Sequence, residues 1–87
     1  MATIFLRHPI ADYQAWRPHF DGDRPRREAA GLTEMGVYQN AANPNDVLVV
    51  WGANDVAGFN AMAASKGLQD KMKEAGVTGP PEVWIAK

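Results

Sequence analysis

Asn43-Pro44-Asn45-Asp46 sits between Leu32-Thr33-Glu34-Met35-Gly36-Val37-Tyr38-Gln39-Asn40-Ala41 and Val47-Leu48-Val49-Val50-Trp51-Gly52-Ala53. Turn-forming residues between two strand-like runs predict an antiparallel hairpin, with strands over residues 32–41 and 47–53. Leu48-Val49-Val50-Trp51 is apolar at every position. A strand with one wetted face alternates instead, so this run predicts a sheet covered on both faces.

Upstream, residues 2–8 place Ile4, Leu6 and His8 on one face and Thr3, Phe5 and Arg7 on the other, a strand ended by Pro9. Asp12 is an N-cap for a helical region whose inward stripe is Tyr13, Trp16 and Phe20, continued by Ala29 and Ala30. Pro18 suits an opening turn, so the helix is expected to start loosely and tighten near it. Gly22 and Pro25 interrupt the stripe, which predicts a kink or a restart capped by Asp21 or Asp23. Gly31 is the expected glycine just past the helix end. Downstream, Asp55 caps a second region carrying Val56, Phe59, Met62 and Ala63. Ser65 offers a fresh cap before Leu68, Met72 and Ala75, with a bend expected over residues 65–67. Residues 76–81 form a turn-rich connection, and Glu82-Val83-Trp84-Ile85-Ala86 completes a last strand.

The order is βαββαβ in a single domain over residues 1–87. Right-handed crossovers turn it into an α+β ferredoxin-like fold, a four-stranded antiparallel sheet with both helical regions on one face. The other face then needs cover, because monomers seldom expose contiguous apolar patches beyond a few hundred Å². A homodimer through that open face, a dimeric α+β barrel, is the expected assembly.

Composition narrows the function. Nine Lys plus Arg against ten Asp plus Glu give a net charge of −1, which offers no field for nucleic acid or an anionic membrane surface. The absence of cysteine removes a disulfide framework, a thiolate metal site and a cysteine nucleophile. Together with the lack of a signal-like start or a long apolar run, this predicts a soluble, cytoplasmic protein.

Four segments carry a resemblance: Asp12-Tyr13-Gln14-Ala15-Trp16-Arg17-Pro18, Glu28-Ala29-Ala30-Gly31-Leu32, Val37-Tyr38-Gln39-Asn40 and Gly79-Pro80-Pro81-Glu82-Val83. Over nearly the whole length the chain resembles the small dimeric α+β barrel proteins of the antibiotic biosynthesis monooxygenase-like superfamily, and most of all its uncharacterised members. That superfamily includes cofactor-independent monooxygenases, polyketide cyclases, haem-degrading monooxygenases and muconolactone isomerase. Of the haem-degrading pattern, an Asn on the first strand, a Trp on the third and a His on the second helix, only Trp51 is matched, so no haem is expected. Cofactor-free members instead use Asn, Trp and Tyr around a cavity to hold an aromatic hydroxyl in its deprotonated form.

The resemblance thus implies a small apolar or aromatic ligand between helices and sheet and no cofactor; with no cysteine and two histidines on separate elements, no motif supports a metal site. His8 and His19 are the two residues with an ordinary pKa near neutrality. His19, one helical turn from Trp16, is taken as the base, Asn60 as the oxyanion donor, and Tyr13, Trp16, Trp51 and Trp84 as the substrate-binding walls. Each aromatic also has an ordinary explanation as core packing, and Arg24, Arg26 and Arg27 read as a solvated helix face of mixed charge. Two classes stay open: a cofactor-independent monooxygenase, cyclase or isomerase, and a non-catalytic binding or interaction protein with a packed interior.

Overall fold

The computed structural model describes residues 1–87. The strands are β1 (Ala2–Pro9), β2 (Leu32–Asn40), β3 (Asn43–Ala53) and β4 (Glu82–Ala86), and the helices are α1 (Tyr13–Gly22), α2 (Arg24–Ala29), α3 (Val56–Ala64) and α4 (Lys66–Glu74). All neighbouring strands are antiparallel in the order β2-β3-β1-β4, which is the expected ferredoxin-like arrangement.

The hairpin differs from its expected form. β3 begins at Asn43, the turn itself is Ala41-Ala42, and Asn40 pairs with Asn43 while Gln39 pairs with Val47. Pro44, Asn45 and Asp46 are therefore extra residues on β3, a bulge in which a proline without an N–H is tolerated. The asparagines use their side chains locally: Asn40 Oδ1 accepts from the Ala42 N–H at 2.8 Å and Asn43 Oδ1 from the Asn45 N–H at 3.1 Å.

Pro18 also sits differently, in the interior of a helix that starts at Tyr13 under the Asp12 cap, which accepts from the Ala15 N–H at 3.1 Å. Arg17 braces the turns on either side, donating to Tyr13 Oη at 3.1 Å and to Asp21 Oδ1 at 3.0 Å. The restart falls at Asp23, whose side chain holds Arg26 at 3.0 Å and caps no backbone N–H. In the second region Asp55 accepts from the Ala57 N–H at 2.9 Å, and Ser65 ends α3 and caps α4 through the Leu68 N–H at 3.3 Å. Gly31, at φ 79°, occupies the left-handed position where glycine is favoured.

Alternation along the strands sorts the side chains. Ile4, Leu6, Val47, Val49, Trp51 and Ala53 face the helices and are buried against Trp16, Phe20, Phe59 and Met62. The opposite face carries Phe5, Leu48, Val50, Met35, Tyr38 and Trp84, and no helix covers it. No helix is long and apolar enough to cross a membrane.

Candidate functional site

A cleft of about 100 Å³ opens between the sheet and the helical layer, bounded by Leu6, Trp16, Phe20, Val49, Trp51 and Phe59. Its walls follow from the inward stripes of the strands and of α1 and α3. Trp16 stacks on Phe20 with ring centroids 4.7 Å apart, and Trp51 leans on Phe59 at 6.1 Å. Interlocked rings keep the walls in place.

His8 brings polarity into this apolar space. It is buried on the helix-facing side of β1, edge-on to Trp16 at 5.6 Å, and neither ring nitrogen has a protein partner. Burial lowers its pKa from the usual 6.5 to about 4, against a weaker opposing pull from Asp46. Neutral imidazole keeps one acceptor and one donor nitrogen, so His8 can accept a hydrogen bond from a guest hydroxyl and donate one to a guest oxygen.

The second polar element is Arg27, which the sequence suggested as part of a solvated face but which is only 5 % exposed. The break between α1 and α2 explains this. There the Phe20 carbonyl accepts from the Asp23 N–H at 3.2 Å, the tighter bond of a helix end, and Arg27 Nη1 donates to the same oxygen at 2.8 Å. The guanidinium then lies 3.8 Å from the centre of the Phe20 ring, a cation–π contact. Desolvation loosens the hold of Arg27 on its proton, while the Glu34 carboxylate favours the charged form. Arg27 Nη2 and Glu34 Oε1 stand 3.8 Å apart, beyond hydrogen-bond reach.

The residues expected from sequence divide. Trp16, Trp51 and His19 line the cleft, His19 at its exposed mouth. Tyr13 lies behind Trp16 at 5.7 Å, with its hydroxyl accepting from Arg17. Asn60 is exposed on α3 and outside the lining, since α3 turns Phe59 and Met62 inward. Trp84, expected between helices and sheet, is 71 % exposed on the opposite face, where its pairing with Phe5 places it. One residue of register decides which face a strand side chain meets. His8 and Arg27 are the polar lining groups that sequence reasoning underrated. His8 was legible from its place in phase with Ile4 and Leu6, whereas Arg27 depended on a helix break whose geometry the sequence only hints at.

No family model matches the sequence, and no curated protein matches it. Solved structures do match in shape. A Bordetella bronchiseptica protein of the antibiotic biosynthesis monooxygenase type superposes with a TM-score of 0.79 at 14 % identity, over 99 % of this chain and 94 % of that one. An antibiotic biosynthesis monooxygenase superposes at 0.72 and 11 % identity, over 100 % and 97 % of the two chains. A mutant of SnoaB, a cofactor-independent oxygenase from Streptomyces nogalater, superposes at 0.70 and 14 % identity, over 99 % and 90 %. The chain therefore has the fold of the antibiotic biosynthesis monooxygenase-like proteins.

Proposed function

We propose that the cleft binds a small, flat, mostly apolar molecule carrying a ring hydroxyl, and that the chain acts on it without a cofactor by drawing off the hydroxyl proton. The observation that carries this reading is His8, a buried imidazole with two unpartnered nitrogens in a mostly apolar wall. A buried polar group without a partner costs about 1–3 kcal/mol, and a guest hydroxyl recovers that loss. As the proton moves from the hydroxyl oxygen to the imidazole, the oxyanion left behind and the imidazolium attract each other in a poorly screened space, which raises the basicity of His8 at that moment. The oxyanion is the electron-rich form needed for reaction with oxygen, ring closure or isomerisation. His19 at the mouth serves as the exchange point with solvent, and Trp16 and Trp51 hold the ring. The oxygenase among the structures of similar fold supports this chemistry by analogy of fold.

The assembly we propose is a cytoplasmic homodimer through the uncovered sheet face. Trp84 at 71 %, Met35 at 61 % and Tyr38 at 56 % exposure support it, since they share one side of the sheet with Phe5 and Val50. The test of function is thermal unfolding against anthrones, quinols, phenolic acids and small lactones, followed by oxygen uptake or isomerisation on whichever class shifts the midpoint. A guest at 100 times its Kd stabilises by about 2.7 kcal/mol. If His8→Leu turns over the identified compound at the parent rate, His8 is not the proton acceptor. If no compound shifts the midpoint, the cleft is packing space and the binding reading fails.

A further inference from the structure

Besides His8, the buried side-chain atoms without a hydrogen-bond partner are Arg27 Nη2, Glu34 Oε1 and Trp51 Nε1. The residues that carry them are neighbours in the fold. Arg27 Nη2 and Glu34 Oε1 are 3.8 Å apart. Glu34 faces Trp51 directly across the β2–β3 ladder, on the same side of the sheet, and Arg27 and Trp51 both line the cleft. Directly opposed residues have Cβ atoms about 4.5–5.5 Å apart, so their side chains share one neighbourhood.

None of these groups is free to seek another partner. Arg27 is clamped by its bond to the Phe20 carbonyl and by the Phe20 ring beneath it. The other carboxylate oxygen of Glu34 faces Arg24 at 3.6 Å. The ladder register is interrupted immediately after Glu34, where Met35 is an extra residue, and bulges of this kind re-aim neighbouring side chains. Trp51 is wedged against Phe59.

We propose that this corner is a hydroxyl subsite, a place for one neutral oxygen that accepts from Arg27 Nη2 and Trp51 Nε1 and donates to Glu34 Oε1. Two N–H donors and one carboxylate acceptor match the two lone pairs and single proton of a hydroxyl. A carboxylate there meets Glu34 as a like charge, an ether or ketone leaves Glu34 unpaired, and an ammonium meets Arg27. The oxygen belongs to water in the free protein and to the ligand in the complex. For the ligand, this rests on the cleft being the binding site proposed above. It narrows the guest to a neutral ring with a second hydroxyl in addition to the one held by His8, and excludes aromatic carboxylates.

Two measurements test this. The first is a high-resolution crystal structure of the ligand-free protein. An ordered oxygen within hydrogen-bond reach of all three atoms is expected. Closure of Arg27 onto Glu34 with no oxygen between, or a Trp51 N–H directed elsewhere, overturns the subsite without reference to any ligand. The second is titration with phenol, resorcinol, hydroquinone, 3-hydroxybenzoate and 4-hydroxybenzoate, followed by the indole N–H signals of the three tryptophans. The better diol is expected to bind about tenfold more tightly than phenol, the increment of one well-placed hydrogen bond to a charged group, and both hydroxybenzoates more weakly than phenol. Trp51→Phe is expected to shrink the ratio of diol to phenol affinity, whatever it does to the affinity for phenol itself, and Glu34→Gln to relieve the penalty on the hydroxybenzoates. Equal affinity for phenol and both diols overturns the ligand subsite while leaving the cleft a binding site. Failure of every probe to bind refutes the cleft reading, and with it the ligand part of the subsite, and leaves the crystal structure to decide the water site.

Discussion

The two faces of the sheet are made from the same strands by the same alternation, yet they have opposite fates. Toward the helices, Ile4, Val47 and Val49 are fully enclosed, and the cleft with His8 lies on this side. Toward the open side, Phe5, Val50, Tyr38 and Trp84 form a surface with nothing over it. The first face has its partner within the chain. The second, on the reading above, finds it in another copy. The largest test of this contrast is a pair of tryptophan truncations. Trp16→Ala removes a ring stacked on Phe20 and is expected to lose about 3–5 kcal/mol in urea denaturation at any protein concentration. Trp84→Ala is expected to lose no more than about 0.5 kcal/mol within one subunit, because little of it is buried there. Its effect falls instead on association, seen as a shift toward monomer in analytical ultracentrifugation. A concentration-independent loss for Trp84→Ala equal to that of Trp16→Ala would erase the distinction between the faces.

His8 gives the second test, through pH. Its folded pKa of about 4 lies below the usual 6.5, so between these values the unfolded chain binds more protons than the folded one. Stability is therefore full above about pH 6.5 and falls as pH drops toward 4, by about 3 kcal/mol in all. His8→Leu is expected to flatten this window and also to raise stability at neutral pH by about 1–3 kcal/mol, since the unpartnered nitrogens disappear. Urea midpoints from pH 7 to 4 on both proteins measure both effects. A variant less stable than the parent at pH 7 would show that His8 belongs to the packing and is not held at a cost for function.

How far the sequence disclosed this arrangement depended on which interactions were local. The caps at Asp12, Asp55 and Ser65, the glycine at Gly31 and the βαββαβ order follow from short-range stereochemistry, and each was readable from neighbouring residues. Asn43-Pro44-Asn45-Asp46 has turn chemistry, but pairing with Gln39 and Asn40 places it in a bulge, a choice made by the partner strand. The site was least legible. His19 and Asn60 were suggested by residue type and the inward phase of His8 was readable beside Ile4 and Leu6, whereas the burial of Arg27 arises only where α1 breaks before α2. Trp84 shows the same limit, since its face is set by register with Phe5 and not by its own hydrophobicity.

A smaller effect is expected from the helical layer. A Cβ on Gly58 of α3 would collide with the Ala30 carbonyl oxygen, a backbone atom at the end of α2. Gly58→Ala therefore forces the layer apart and is expected to lose about 1–3 kcal/mol by denaturant titration. An unchanged midpoint would show that the layer is free to slide over the covered face.

The smallest effect is expected on the open side, at Asp46. Arg7 donates to its two oxygens at 2.8 and 2.7 Å, and Asn40 Nδ2 donates to Oδ2 at 2.9 Å. The hydrogen bonds from Arg7 and then Asn40 lower its pKa from the usual 3.8 to about 2. The contribution of this carboxylate is present above about pH 4 and is lost as pH falls toward 2, because protonation then comes earlier in the unfolded chain. Solvent screens the pair through the half-exposed Arg7, so Asp46→Asn is expected to lower the unfolding midpoint slightly at pH 7 and by less at pH 2, where the folded carboxyl is about half protonated. The two faces then titrate in separate windows, His8 from about 6.5 to 4 and Asp46 from about 4 to 2. Removing both groups should leave a flatter acid limb than either single change, with additive losses of slope. Strong non-additivity would mean that the attraction between Asp46 and protonated His8 across the end of the sheet couples the faces, and that they are not energetically independent.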